Sequence, residues 1–302
     1  MLHVVEEAFR QKCQGHAEVP PKPGIHPRKD AFIHAMPAYL SKMNAAGVKW
    51  VSGFPENAAR GLPCISGLVI LNDSSTGFSI CIMDCTWLTA KRTGAATALA
   101  AKYLAREDSK VLGILGCGVQ GRSNLEALVE ICQNIEEVKA YDINKANEEK
   151  YVQEMAGKHE LKITSAGSPK RAVQGCDIVV TSGPILKKPE PLIVKSWFRD
   201  GGLACPLDFD SYWKTEAMHS MDKFCTDDGE QLAYYRSQGY FADIPSVYAD
   251  LGEIVTLKKA GRESNRERIM TMNLGLAIED VATANLVYQK AVKKKIGMKL
   301  PL

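Results

Sequence analysis

The chain lacks any apolar run near the ~20 residues that a membrane-spanning helix requires, which excludes an integral helical membrane protein. It also lacks an excess of either charge. Its 38 basic and 35 acidic residues leave a net +3, too balanced to make a nucleic acid or a membrane surface the expected partner. The opening, Met1-Leu2-His3-Val4-Val5-Glu6-Glu7, carries acids early and has no long apolar core, so no secretory signal is expected. Nine cysteines occur without a CxxC pair, and Cys81 and Cys85 have no histidine close by. The six histidines are dispersed. Neither a zinc site nor a disulfide framework is expected, and reduced thiols imply the cytoplasm. There is no internal repeat and no low-complexity segment. The 302 residues, 45% of them hydrophobic, suggest about two domains with a core each.

The most informative stretch is Val111–Asp142. Val111-Leu112-Gly113-Ile114-Leu115 has the length of a buried strand. Gly116-Cys117-Gly118-Val119-Gln120-Gly121 follows at once, and Leu125, Leu128, Val129, Cys132 and Ile135 then recur at helical spacing. A second strand-like run, Val138–Tyr141, ends on Asp142, 21 residues beyond Gly121. A strand, a glycine turn, a helix, a strand and an acid in this order form the dinucleotide-binding pattern. Gly116 suits the tight turn, Gly118 lets backbone approach a pyrophosphate, and Gly121 lets the helix sit close to the strand. The helix start offers free N–H groups to the phosphates. Asp142 is followed by Ile143-Asn144 with no adjacent arginine, which favours NAD over NADP. The competing reading is a glycine-rich turn without a ligand.

Before this stretch the pattern predicts a helix over 1–12, strands at Ala31–Pro37 and Val48–Val51, a hairpin from Gly67–Asn72 and Gly77–Asp84, and a helix over Leu88–Ala105 capped by Thr86 or Thr89. After Asp142, Asn144 can cap a helix to about Ala156, and Ser168-Pro169 can open another. Strands are expected at Lys162–Thr164, Asp177–Ser182, Gly202–Cys205 and Glu267–Met272, and helices at Glu230–Ser237, Ala249–Ala260 and Leu274–Lys293. Alternating strands and helices predict a doubly wound parallel sheet, with Ser182-Gly183-Pro184 and Pro206–Asp210 bordering the ligand pocket at the carboxyl ends of its strands.

The residues then match a family. Met36-Pro37, Lys49, Gly67–Gly77, Leu88-Thr89 with Arg92-Thr93, Gly116–Gly121, Asp210 with Lys214-Thr215-Glu216, Asp250–Glu253 and Gly275–Asp280 together resemble the ornithine cyclodeaminase/mu-crystallin family of NAD(P)-dependent enzymes. The resemblance spans nearly the whole chain. It implies an α/β fold in which a Rossmann domain, 109–272, is inserted into an α+β substrate-binding and dimerisation domain, 1–108 plus 273–302. The molecule is expected to be a homodimer. Many members carry a short leading segment where this chain begins at its first helix, so looser dimer contacts are expected.

The implied chemistry is hydride transfer at an amino-acid α-carbon, making or consuming a C=N bond, with NAD as cofactor. Gly116, Gly118, Val119, Gln120, Gly121, Asp142, Ser182 and Asn273 are its expected contacts, although relatives often have serine in place of Asn273. Arg28, Lys49 and Arg92 are candidates to hold the substrate carboxylate, since arginine presents a planar fork and lysine a point charge. Arg92 is expected in a first helical turn, among free N–H groups. Without the resemblance each of these cations would be read as a surface residue. Asp210 is the candidate proton-transfer group, with Lys49 beside it as a catalytic residue. Asp208 is the rival, and a helix-capping loop aspartate is the plain alternative. Cyclodeaminases carry a glutamate where this chain has His34, which weakens an ornithine substrate; His34 is either a substrate contact or a packed core residue. The expected activity is therefore an amino-acid dehydrogenase or imine reductase. The alternatives are a redox-neutral cyclodeaminase and a nucleotide-dependent binding protein of the mu-crystallin type.

Overall fold

A computed structural model describes residues 1–301. In chain order its elements are α1 (Leu2–Cys13), β1 (Ala17–Glu18), β2 (Gly24–Ile25), β3 (Phe32–Leu40), β4 (Ala45–Gly53), β5 (Ile65–Asn72), β6 (Ser79–Asp84), α2 (Thr86–Leu104) and β7 (Val111–Leu115). Then come α3 (Val119–Ile131), β8 (Glu137–Tyr141), α4 (Lys145–Lys158), β9 (Lys162–Ser165), α5 (Pro169–Val173), β10 (Ile178–Thr181), β11 (Leu203–Pro206) and α6 (Thr215–Met218). The last are β12 (Lys223–Thr226), α7 (Gly229–Ser237), β13 (Ala249–Asp250), α8 (Leu251–Val255), β14 (Ile269–Met272) and α9 (Ala277–Lys294). Two compact units result. One is Met1–Arg92 with the chain from Leu276 on, and the other is Thr93–Gly275.

The first unit is built on an antiparallel sheet, β1-β3-β4-β5-β6, with β2 also on β3. Side chains alternate across it. Met36, Ala38, Leu40, Val51, Val69 and Leu71 are buried, and β3, β4 and β5 pack against α9 on that face. α1 completes the layer by laying Val5, Ala8 and Phe9 into the core. The other face is also apolar. Trp50 stands opposite Leu68 and Ile70 opposite Ile82. Trp50, Leu68, Ile80 and Ile82 are each at least 40% exposed.

The second unit is an eight-stranded parallel sheet in the order β13-β12-β14-β11-β10-β7-β8-β9. Its central strands β10 and β11 are buried at every residue, the signature of a sheet covered on both faces. Strand order reverses between β7 and β10, and ligands of such sheets bind outside the carboxyl ends at this reversal. The expected α/β class with a doubly wound parallel sheet and a separate antiparallel α+β unit is what the chain forms.

Several elements differ from their sequence reading. Ala249–Ala260 is not one helix. Ala249-Asp250 pairs as β13 with β12, and α8 is only Leu251–Val255. Sheet pairing outweighs helix propensity at Ala249, and Leu257 at φ 59 turns the chain away. α9 starts at Ala277 rather than Leu274 because the Glu279 carboxylate accepts the Leu276 N–H at 2.7 Å. Neither Thr86 nor Thr89 caps α2. Thr86 is its first residue, and its N–H and hydroxyl both donate to the Asp84 carboxylate. Arg92 is therefore the seventh helical residue and lies beyond the free N–H groups of the first turn. β3 and β4 are each nine residues long, because nine register pairs between them extend the short runs seen in sequence. Asn144 and Ser168 cap α4 and α5 as expected.

At the amino-terminal end of the parallel sheet, Asp177 is 3% exposed and gathers four donors. It accepts the backbone N–H groups of Lys110 and Val111 at 2.8 and 3.0 Å, Arg199 at 2.7 Å and Arg106 at 3.2 Å. Replacing Asp177 with alanine leaves two strand-start amides and two guanidinium groups without it. The expected cost is about 3 kcal/mol, measured as a drop in the urea unfolding midpoint with unchanged slope.

Candidate functional site

The glycine turn leaves the carboxyl end of β7 at the strand reversal. Gly116 has φ +99, and a Cβ there would meet the Ser182 carbonyl oxygen at 2.7 Å. A Cβ on Gly121 would meet the Gly116 carbonyl oxygen at 2.2 Å, so both glycines are required by packing. Gly118 is different: a Cβ there would meet nothing within 4 Å. Its glycine keeps open a space above the start of α3, whose first turn has no side-chain cap. Such a helix start, 13 residues long and uncapped, directs free N–H groups and a positive dipole end at that space.

The turn is held from several sides. Ser182 donates its hydroxyl to the Gly116 carbonyl at 2.9 Å. Asp142 accepts the Cys117 N–H at 2.7 Å and the Asn144 N–H at 2.8 Å. Each carboxylate oxygen has a second lone pair, so Asp142 can still accept a ribose hydroxyl. Val119 projects outward at the first position of α3, and Gln120 folds back towards Ser123 and Asn124. Arg122, given no role by the sequence reading, donates to the carbonyls of Cys117 and Gly118 and pairs with Glu154 at 2.7 Å. It thereby ties up two carbonyls of the turn. Its sequence signal is its place directly after the third glycine.

Asp208 and Asp210 follow β11 and have different surroundings. Asp208 is fully buried, accepting the Thr181 hydroxyl at 2.7 Å and the Gly183 N–H at 2.8 Å. Burial pushes its carboxyl up to about 7 against these donors, and the Asp210 charge adds to the rise. The hydroxyl of Thr181 can reverse and accept, so either protonation state is hydrogen-bonded. Asp210 is half-buried, and its Oδ1 has no hydrogen-bond partner among the described residues. Burial raises its carboxyl too, opposed by the Phe241 N–H. Phe209 and Phe241 both adopt left-handed backbone, φ 58 and φ 54, with rings 4.8 Å apart. Two bulky residues with positive φ around one carboxylate mark stored strain of the kind found at functional sites. Asn273 accepts the Thr271 hydroxyl at 2.9 Å, and its buried Nδ2 has no partner among the described residues.

In the other unit, Lys49 and Arg92 are buried rather than at the surface. Lys49 lies at an inward position of β4 and meets Asp280 at 2.6 Å. Arg92 meets Asp280 at 3.0 Å and Glu279 at 2.9 Å. Asp280 thus joins the two cations, and the first turn of α9 balances both. Glu279 and Asp280 belong to the motif noted in sequence, but nothing in their spacing reveals partners 187 residues away. Burial, with Arg92 nearby, lowers Lys49 to about 8 against the attraction of Asp280. His34 stacks on Phe32 at 4.2 Å. Burial first, then Lys22, His26 and Lys49, holds His34 down to about 3, so it is a neutral imidazole. Arg28 lies in an exposed bend.

Comparison with known proteins places nearly the whole chain in one family. The family model described as the ornithine cyclodeaminase/mu-crystallin family matches residues 1–295. An alanine dehydrogenase of Archaeoglobus fulgidus is 38% identical, over 99% of this chain and 92% of the relative. A solved Thermococcus litoralis Delta(1)-pyrroline-2-carboxylate reductase in complex with NADH and L-proline is 36% identical, with TM-score 0.91 over 99% of this chain and 94% of that one. A solved archaeal alanine dehydrogenase dimer with bound NAD is also 36% identical, with TM-score 0.87 over 100% of this chain and 93% of that one.

The Asp208 environment sets a pH dependence. The unfolded carboxyl ionises near the ordinary 3.8 and the folded one is pushed up to about 7, so between them the folded state binds more protons. Stability then falls as pH rises through this window. Between pH 5 and 8 the chain should lose roughly 2.5 kcal/mol relative to Asp208→Asn, read from urea unfolding curves of both proteins. Parallel curves would overturn the assignment of the raised carboxyl to Asp208.

Proposed function

The chain belongs to the ornithine cyclodeaminase/mu-crystallin family, and from that premise we propose that it is an NAD-dependent oxidoreductase acting on C–N bonds, interconverting a small L-amino acid and its imine or 2-oxo acid. The observation that carries this reading is the open space at Gly118, above an uncapped helix start and beside Asp142. The relatives solved with NADH and L-proline and with NAD support the cofactor and the substrate class.

Gly118, Val119, Gln120 and Gly121 would hold the pyrophosphate through backbone N–H groups, Gly116, whose N–H is taken by the Tyr141 carbonyl, would shape the turn beneath it, and Asp142 would accept the ribose hydroxyls. Ser182 fixes the turn, and the unpaired Asn273 Nδ2 offers a donor to the nicotinamide end. When bound, NADH supplies a hydride to the imine carbon, and NAD takes one up in the reverse direction. The chain's part is charge and protons. Lys49 and Arg92 attract the substrate carboxylate, with Glu279 and Asp280 fixing both cations in place. Arg28, on its exposed bend, is a further cation for this role. Asp210, raised by burial and with Oδ1 unpaired, delivers a proton to the substrate nitrogen or removes it at that atom. Lys49, lowered to about 8, is a group able to exchange a proton near neutral pH. The neutral His34 on Phe32 favours a small, uncharged substrate side chain over the cationic one of ornithine.

The chain is further proposed to act as a homodimer in the cytoplasm. Trp50, Leu68, Ile80 and Ile82 form an exposed apolar face of β4–β6 of a kind that soluble monomers rarely leave uncovered, and an archaeal relative is solved as a dimer. The nine free cysteines suit a reducing compartment, and no helix is long and apolar enough to cross a membrane among the described residues.

Two measurements test this. An NADH-oxidation assay should show turnover with a cyclic imino acid, or with pyruvate, glyoxylate or oxaloacetate plus ammonia or methylamine. NADPH should serve less well, and Asp210→Asn should lower kcat at least 100-fold. Proline formed from L-ornithine without net NADH change would favour the cyclodeaminase reading instead. In sedimentation equilibrium the chain should be a dimer, and Ile82→Asp should yield folded monomer; a dimer unaffected by it would place the interface elsewhere.

A further inference from the structure

The Asp208 carboxylate sits where three loops of the parallel unit converge. Its Oδ1 accepts the Thr181 hydroxyl at the last residue of β10. Its Oδ2 accepts the Gly183 N–H two residues later, at 2.8 Å. Gly183 itself is pinched, since a Cβ there would lie 2.5 Å from the Tyr212 ring. Between them, Ser182 donates to the Gly116 carbonyl, and its own carbonyl is what a Gly116 Cβ would strike. One carboxylate therefore fixes the β10 turn, which in turn braces the glycine turn after β7. On its other side the backbone passes through the left-handed Phe209 to Asp210. Ser211 donates its N–H back to the Asp208 carbonyl at 3.1 Å, closing this loop on itself. The Phe209 ring is wedged among Tyr235, Tyr240 and Phe241, with centroids 4.8–5.5 Å away. The Phe241 N–H then reaches Asp210.

We infer that Asp208 is a positioning residue for the proposed reaction, tying the glycine turn that holds the dinucleotide to the strained loop that presents Asp210. A buried carboxylate is costly to keep in a core, and neither the sheet nor the aromatic cluster requires one at this position. Its two donors lie on one turn and its main chain leads into the other, so it sets their mutual placement. This is the geometric condition for hydride and proton to reach adjacent atoms of one C=N bond. The inference rests on the reading of the chain as an NAD-dependent C–N oxidoreductase.

The test compares wild type with Asp208→Asn and Asp208→Ala, each confirmed folded by circular dichroism and assayed well below its Tm. Asparagine keeps an oxygen for the Gly183 N–H and an amide to donate to the Thr181 hydroxyl; alanine keeps neither. Asp208→Ala should lower kcat at least tenfold, leave the KM for the amino- or imino-acid substrate within threefold, and weaken NADH at least fivefold in a fluorescence titration. Asp208→Asn should restore both kcat and NADH affinity to within about threefold of wild type. If Asp208→Ala keeps kcat and NADH affinity within twofold, the carboxylate only stabilises the fold and the inference falls. It falls equally if asparagine behaves like alanine, because the hydrogen bonds would then not be what matters. If wild type binds NADH but turns over none of the substrates, the proposed reaction fails by itself. The NADH titration of the two variants still decides the role of Asp208 at the glycine turn.

Discussion

Two buried cations and two buried carboxylates close the first unit. Lys49 comes from the middle of the antiparallel sheet and Arg92 from the second turn of α2, while Glu279 and Asp280 come from the start of α9. The whole parallel-sheet unit lies between these partners in the chain. A buried ion pair adds little net stability, because desolvation offsets most of the attraction, yet breaking one side leaves a charge without water or partner. Its effect here is to admit one register of α9 on β3–β5. Slipping α9 by a residue would carry Glu279 and Asp280 off the cations and lift Ala277, Ile278 and Val281 from the core.

The same four groups give the unit a polar centre at a place that could have been filled with leucine. A group of charges at exact balance can admit a substrate carboxylate only by sharing the donors already in use. Arginine and lysine have the donors for this: five and three, against the few contacts seen. Lys49, lowered to about 8, is also the member whose charge is most easily lost as pH rises. The parallel unit is arranged on a different principle. There the polar groups gather at the carboxyl ends of β7, β10 and β11, where Asp142 and Asp208 take up the N–H groups of Cys117 and Gly183 and Ser182 donates to the Gly116 carbonyl.

The dinucleotide pattern was legible because it is local. A strand, three glycines, a helix and an acid lie within one continuous stretch, and Gly118 and Gly121 answer an opening and a clash measured within it, whereas Gly116 is pressed by Ser182 from beyond it. Asn144 and Ser168 were legible as caps for the same reason, since a cap acts on amides two or three residues away. The extent of β3 and β4, the division of Ala249–Ala260 and the start of α9 were not. Each depends on a partner strand or side chain distant in sequence.

By itself the sequence determined the alternation of strands and helices that makes the parallel sheet, the glycine turn with its acid, and the family through motifs spread along the chain. Only the tertiary structure decided what the charged residues do. Lys49 and Arg92 read as free cations in sequence, and folding brings Glu279 and Asp280 onto them. In sequence the resemblance favours Asp210 over its rival Asp208, two residues away in one loop, without showing how their surroundings differ. The left-handed turn at Phe209 sends one into the core onto Thr181 and Gly183 and leaves the other half-exposed with an unpaired oxygen. Ionisation and hydrogen bonding follow from desolvation and neighbours in space, which sequence spacing does not encode beyond a few residues.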